Sequence, residues 1–234
     1  MAKSQELGLD AQSTRYHLTT TLSTVDEYIY RSHVMIHLTT RLSKETMTHS
    51  DETHVYYLPG SGGKLNTGLG TVIHALGYEV VGRETRGAFN QLSFQEKIDR
   101  ISKDLQTHFW RESACVIANS FGAYLFLHAQ LQLEPYPGRV LCLSPIIGDF
   151  ADAHSMKGFI PPRSTEILKR ASSGRMPRPR EIEIHVGDKD WQSNPERVTE
   201  LGSLLQIETH VIPDTGHQLN HSYVRDLLAS WLPE

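Results

Sequence analysis

The stretch Ala114-Cys-Val-Ile-Ala-Asn-Ser-Phe-Gly122 decides the fold of this chain. Its first five residues are apolar and short enough for a buried strand, and residues 121–131 continue with the pattern of an amphipathic helix. Between these two segments, Ser120 is flanked by the small residues Ala118 and Gly122, which a sharp turn requires. A strand, a tight turn and a helix in this order expose a serine side chain at the end of a sheet. Ser120 is therefore a candidate nucleophile.

Short apolar runs and helical patterns alternate along most of the chain. Strands are predicted at 54–58, 78–82, 114–118, 139–143, 181–186 and 209–212, and helices at about 65–76, 94–110, 121–131, 195–205 and 222–232. This alternation is typical of strands joined by crossover helices. We therefore predict an α/β fold, with a mostly parallel, doubly wound sheet and helices on both faces.

The first fifty residues have a different composition from the rest. They contain fifteen Ser or Thr residues and one strand-like patch. We interpret residues 1–50 as an N-terminal extension, either a strand or hairpin or a poorly ordered arm, and residues 51–234 as one domain. About forty residues separate the strands at 139–143 and 181–186, which is long for a crossover connection. This length predicts a short cap insertion at about 149–180.

Charge and hydropathy disfavour several functional classes. Lys plus Arg number 23 and Asp plus Glu number 27, a net charge of −4, which gives no electrostatic reason for general binding to nucleic acid or anionic lipid. No apolar run is long enough for a membrane-spanning helix, and the first ten residues lack the apolar core of a signal peptide. We expect a cytoplasmic protein that acts on a small molecule.

A serine hydroxyl becomes a good nucleophile when a base removes its proton. His217 follows the last predicted strand, so a parallel sheet would bring it to the edge where Ser120 emerges; His221 is the second candidate. The imidazole in turn needs a carboxylate to orient it. Asp188 and Asp190 both follow the penultimate strand, and either could serve.

The glycine-rich turn Pro59-Gly-Ser-Gly-Gly63 follows the first predicted strand. Its backbone could donate hydrogen bonds to an oxyanion, and we assign this role to the N–H groups of Ser61 and Phe121. A phosphate-binding loop is less favoured, because Gly60 to Lys64 lacks the spacing of the known nucleotide motifs.

These four motifs, in this order over about 54–234, resemble those of the α/β-hydrolase superfamily. The resemblance implies the order Ser120, Asp190, His217 for the nucleophile, acid and base, and favours Asp190 over Asp188. It also implies an α/β-hydrolase fold with a short cap. One departure is the oxyanion turn, which in that family usually begins with His-Gly and here begins with Pro59-Gly60.

The expected function is that of a carboxylesterase-like serine hydrolase, which cleaves a small carboxylic ester or thioester through an acyl-enzyme intermediate. Alternatives are a non-catalytic hydrolase-like binding module, and an acyltransferase or peptidase that uses the same three residues. No cofactor or metal site is expected, and the pair His33 and His37 lacks a known metal motif. Five aromatic residues in loops near Ser120 are predicted to line an apolar acyl pocket: Phe89, Phe121, Phe150, Phe159 and Trp191.

Overall fold

A computed structural model of the chain describes residues 54–152 and 157–233. The predicted N-terminal extension, with His33 and His37, lies outside these residues and stays a prediction. The strands are β1 (His54–Leu58), β2 (Glu79–Gly82), β3 (Cys115–Asn119), β4 (Arg139–Leu143), β5 (Phe150–Asp152), β6 (Lys157–Phe159), β7 (Glu181–Gly187) and β8 (Glu208–Ile212). The helices are α1 (Leu69–Ala75), α2 (Gly87–Gln91), α3 (Phe94–Asp104), α4 (Phe121–Gln130), α5 (Glu166–Ser172), α6 (Pro195–Leu205) and α7 (His221–Trp231).

Six of these strands form one parallel sheet in the order β2-β1-β3-β4-β7-β8, and the predicted mostly parallel sheet is confirmed. The chain moves outward from β1 to β2 and then returns to the other side of β1 with β3. The direction of winding therefore reverses between β1 and β3. In open α/β sheets, ligands bind beside such a reversal, at the carboxyl ends of the strands.

Alternating side chains of the strands enter two separate cores. On β1, Tyr56 and Leu58 pack in the core shared with α3, α4, α5 and α6, whereas Val55 and Tyr57 pack in the core shared with α1 and α7. This period of two follows from the pleat of a strand. Both faces of the sheet are covered by helices, as predicted for a doubly wound fold.

Helix α3 begins at a capping box. The Ser93 side chain accepts a hydrogen bond from the backbone N–H of Glu96, and the Glu96 carboxylate accepts one from the N–H of Ser93. The helix continues into one π-helical turn, Leu105–Phe109. Helix α4 differs from the prediction of an amphipathic helix. Its residues from Gly122 to Gln130 are all buried, because α3 packs on the side that faces away from the sheet.

Between β4 and β7, the structure contains the antiparallel pair β5–β6 and the short helix α5. This segment is attached to the main domain by the packing of α5 in the core and by polar contacts. The Tyr124 hydroxyl donates a hydrogen bond to the carbonyl of Pro162, and Arg197 forms an ion pair with Asp149. Among the described residues, none of the helices combines the length and the apolar character that crossing a bilayer demands.

Candidate active site

Three of the predicted site residues follow the carboxyl ends of parallel strands. Ser120 comes directly after β3, Asp190 follows β7 and His217 follows β8. Because β3, β4, β7 and β8 are joined in parallel register, these ends lie along one edge of the sheet. The shared edge explains how residues far apart in the chain can meet.

Ser120 occupies a strained turn between β3 and α4. Its backbone has φ 53° and ψ −117°, a region that side-chain-bearing residues rarely adopt, and its N–H is held by the carbonyl of Leu143 at 2.9 Å. A Cβ at Gly122 would lie 2.1 Å from the carbonyl oxygen of Leu58, so only glycine allows this approach of helix to strand. The turn directs the Ser120 side chain toward the edge of the sheet.

The Ser120 hydroxyl lies within hydrogen-bond distance of an imidazole. Its Oγ is 2.8 Å from Nε2 of His217, which leaves the other ring nitrogen, Nδ1, facing away from the serine. His221, the second candidate for the base, stands at the start of α7 and lines the same cleft, but it forms no hydrogen bond with Ser120. The structure therefore brings Ser120 together with His217.

Asp190 contacts the far side of this imidazole. Its two carboxylate oxygens lie 3.0 and 2.9 Å from Nδ1 of His217, and its side chain is fully buried. The backbone N–H groups of Gln192 and Ser193 donate to Oδ1 of Asp190, each at 2.9 Å. These donors stabilise a carboxylate that water does not reach. A carboxylate in this position can stabilise positive charge on the imidazole.

Asp188, the alternative acid, has a different role. Its Oδ1 accepts a hydrogen bond from the backbone N–H of Thr215 at 3.0 Å, and its own N–H donates to the carbonyl of Ile212. The Thr215 N–H lowers the pKa of the Asp188 carboxyl below its ordinary value. Asp188 therefore ties the loop after β7 to the loop that carries His217.

Ser193 is a buried residue of this site that the sequence did not reveal. Its hydroxyl donates to the carbonyl of Ser144 at 2.5 Å and lies 3.3 Å from Nδ1 of His217. Since its N–H also donates to Asp190, one residue contacts both the acid and the imidazole. No motif marks a serine three residues after an aspartate, so only the fold could identify it.

The glycine-rich turn lies beside Ser120, since a Cβ at Gly60 would be 3.3 Å from the Ser120 Cβ. Buried Thr85 holds the turn in place: its hydroxyl donates to the carbonyl of Gly60 and accepts from the N–H of Gly63. The N–H groups of Ser61 and Phe121 donate to no other described residue. These two donors are therefore available to a ligand.

A cleft of about 500 Å³ opens above Ser120. Its lining includes apolar side chains, from Tyr57, Leu69, Val72, Leu143, Leu219 and Val224, and polar ones, from Lys64, Gln192, Gln218 and His221. The prediction that five loop aromatics line the acyl pocket is wrong, because none of them lines this cleft. Instead, Phe150 packs against Trp191 and Phe159, with ring centroids 5.6 and 5.7 Å apart.

No family model and no curated protein matches the chain. Solved structures do match. A monoacylglycerol lipase from Paleococcus ferrophilus is 14% identical with a TM-score of 0.56, and the match covers 76% of this chain and 93% of the other.

Two further solved structures are similar over most of their length. A lipase-esterase related protein from Clostridium acetobutylicum is 15% identical with a TM-score of 0.52, covering 76% of this chain and 94% of the other. A member of the α/β serine hydrolases without lid, from Xanthomonas campestris, is 20% identical with a TM-score of 0.51, covering 77% and 82%. The described part of this chain therefore has the α/β-hydrolase fold, as the sequence motifs predicted.

Proposed function

We propose that this protein is a serine hydrolase that cleaves a small carboxylic ester or thioester through an acyl-enzyme intermediate. The observation that carries the proposal is the chain of contacts from the Ser120 hydroxyl to His217 Nε2 and from His217 Nδ1 to Asp190. A hydroxyl, a base and an orienting acid in this arrangement activate a nucleophile for acyl transfer.

In the proposed first step, His217 Nε2 accepts the hydroxyl proton while Ser120 Oγ bonds to the carbonyl carbon of the substrate. The charge that develops on the carbonyl oxygen is stabilised by the N–H groups of Ser61 and Phe121; loss of one such donor typically costs about 3 to 4 kcal/mol of barrier. The tetrahedral intermediate formed in this way then collapses. The bond to the leaving group breaks, and the leaving group takes the proton from His217. Asp190 stabilises the imidazolium between these two transfers.

The second step discharges the acyl group. Water loses a proton to His217 Nε2, its oxygen bonds to the acyl carbon, and the bond to Ser120 Oγ breaks as the serine regains the proton. The products are a carboxylic acid and the original enzyme. The cleft is of the size that holds small molecules, and its apolar side chains suit an acyl chain while its polar side chains suit a leaving group. Lipase- and esterase-related proteins among the structural neighbours agree with this substrate class.

A fluorophosphonate probe tests the proposal, because it phosphonylates an activated serine. We expect the wild-type protein to be labelled and to release p-nitrophenol from an ester chain-length series, with an acyl-enzyme visible by intact-mass spectrometry. Labelling and turnover should both be lost in Ser120→Ala and retained in Ser203→Ala, a change on the exposed side of α6. Wild-type protein that resists the probe and ignores every ester would instead favour a non-catalytic binding module.

A further inference from the structure

A second cluster of polar side chains lies on β7 and β8, among residues that take no part in the proposed reaction. Glu183 and His185 are two residues apart on β7 and therefore point to the same face of the sheet. In the register of the two strands, His210 is paired with His185, and Glu208 with Glu183. All four side chains thus share the face that α7 covers.

The donor atoms of this cluster converge. Glu183 Oε1 lies 2.8 Å from His185 Nε2 and 3.2 Å from His210 Nε2, and Glu208 Oε1 lies 3.3 Å from the same His210 nitrogen. One atom each from Glu183, His185 and His210 can be chosen so that all three are within 4.8 Å of one another. Two imidazole nitrogens and one or two carboxylate oxygens are a donor set that suits zinc.

Two further observations favour a metal ion at this cluster. The nitrogen Nε2 of His210 is buried and has no hydrogen-bond partner among the described residues, although two carboxylate oxygens lie nearby. In addition, Nδ1 of His185 is 2.6 Å from the hydroxyl of Tyr223 on α7. A polar partner on the second ring nitrogen is the usual support of a metal-binding histidine, because it fixes the ring and leaves Nε2 for the metal.

We propose that Glu183, His185 and His210 bind one Zn²⁺ ion, with Glu208 as the fourth ligand. In a tetrahedral site, donor atoms about 2.1 Å from zinc lie about 3.4 Å from one another, so donors as far apart as 4.8 Å need to close by up to about 1.4 Å. The two imidazole rings, now stacked with centroids 4.4 Å apart and planes 12° from parallel, must tilt so that both nitrogens point at one ion. His210 and Glu208 lie on the edge strand and have exposed surface, so they can make this adjustment.

Zinc bound here would join the edge strand β8 to its neighbour β7. The strand β8 leads into the loop that carries His217, and Tyr223 follows on α7. An ion that binds only the folded state raises the free energy of unfolding. Once the ion concentration exceeds the dissociation constant, this gain grows with the logarithm of the concentration. The site therefore predicts a zinc-dependent rise in thermal stability that is separate from the chemistry at Ser120.

The test is calorimetric titration of the full, untagged, chelator-treated chain with ZnCl₂, together with thermal unfolding at rising zinc concentration. Wild type should bind one ion that His210→Gln binds at least about tenfold more weakly, and the zinc-dependent rise in Tm should shrink with it. His54→Gln is the matched control. His54 also pairs with a glutamate across two parallel strands, Glu79 at 3.0 Å, but without a second imidazole. The His54→Gln variant should therefore bind zinc as the wild type does.

Circular dichroism establishes that each variant is folded before titration. If His210→Gln fails to fold, Glu208→Gln replaces it, since that side chain is exposed and its loss should also weaken binding. Co²⁺ supplies a second readout, because cobalt in a four-coordinate site absorbs strongly in the visible range and zinc should displace it. Equal zinc titrations for wild type and the cluster variants, or a signal that disappears only in His217→Gln, would overturn the proposal.

Discussion

Asp188 and Asp190 are close in sequence but differ in burial and in partners. Asp190 is buried against His217, whereas Asp188 lies at the surface and accepts the N–H of Thr215. We predict that Asp190→Asn lowers kcat by about 10³- to 10⁴-fold, because the imidazole loses its orientation and charge partner. Asp188→Asn should change kcat only a few-fold. Steady-state kinetics on a p-nitrophenyl ester measures both, and an equal loss in the two variants would contradict the assignment.

Ser193 is a positioning residue in the proposed mechanism, since it acts through Asp190 and His217. Replacing it with alanine keeps its backbone N–H bond to Asp190 but removes the hydroxyl that lies near His217 Nδ1. We predict that Ser193→Ala reduces kcat about tenfold, equivalent to about 1.4 kcal/mol and typical of one hydrogen bond, with little change in KM. An unchanged kcat, or a change confined to KM, would show that the hydroxyl does not position the imidazole.

At the scale of elements, the turn between β3 and α4 depends on one glycine. A Cβ at Gly122 would lie 2.1 Å from the carbonyl of Leu58, and backbone cannot move aside without displacing β1. We predict that Gly122→Ala lowers the free energy of unfolding by about 2 to 3 kcal/mol, measured by urea denaturation. Gly216→Ala is the control, because its Cβ would meet no atom within 4 Å. Similar midpoints for the two variants would show that the turn tolerates a side chain.

The elements that the sequence predicted are those with a strong local signal. The central strands of the main sheet, β1, β3, β4 and β7, are largely buried and so appear as apolar runs, and α3 has a capping box. Helix α2 and the pair β5–β6 were missed, because five- and three-residue elements show no measurable periodicity. The all-round burial of α4 was also missed, since it depends on how α3 crosses it.

The residues of the candidate site also fall into two groups, those that local sequence patterns predict and those that they do not. Ser120, Asp190 and His217 each follow a predicted strand, so parallel topology alone brings them to one edge. Thr85 and Ser193 contact the site through packing that no motif records. The cluster of Glu183, His185 and His210 requires the pairing of β7 with β8, which a single sequence does not specify. Local patterns therefore predict the residues at strand ends but not those that depend on neighbouring elements.

At the scale of the whole molecule, one buried histidine sets part of the pH range over which the domain is stable. His128 on α4 lies against Phe94 and Tyr124, with ring centroids 5.0 and 4.5 Å away, and neither of its ring nitrogens has a hydrogen-bond partner among the described residues. Burial, with a smaller effect of the Arg163 charge, lowers the pKa of His128 from 6.5 to about 4. The folded protein therefore favours the neutral ring.

Because the unfolded chain binds the proton more tightly than the folded protein, stability is lost as the pH falls from about 6.5 toward about 4. The shift corresponds to about 3 kcal/mol over that interval. We predict that His128→Phe, which keeps an aromatic ring between the same neighbours, loses less free energy of unfolding between pH 7 and pH 4 than wild type does. Urea denaturation at a series of pH values measures the difference. Parallel pH curves for the two proteins would mean that His128 takes up its proton as readily in the folded core as in the unfolded chain.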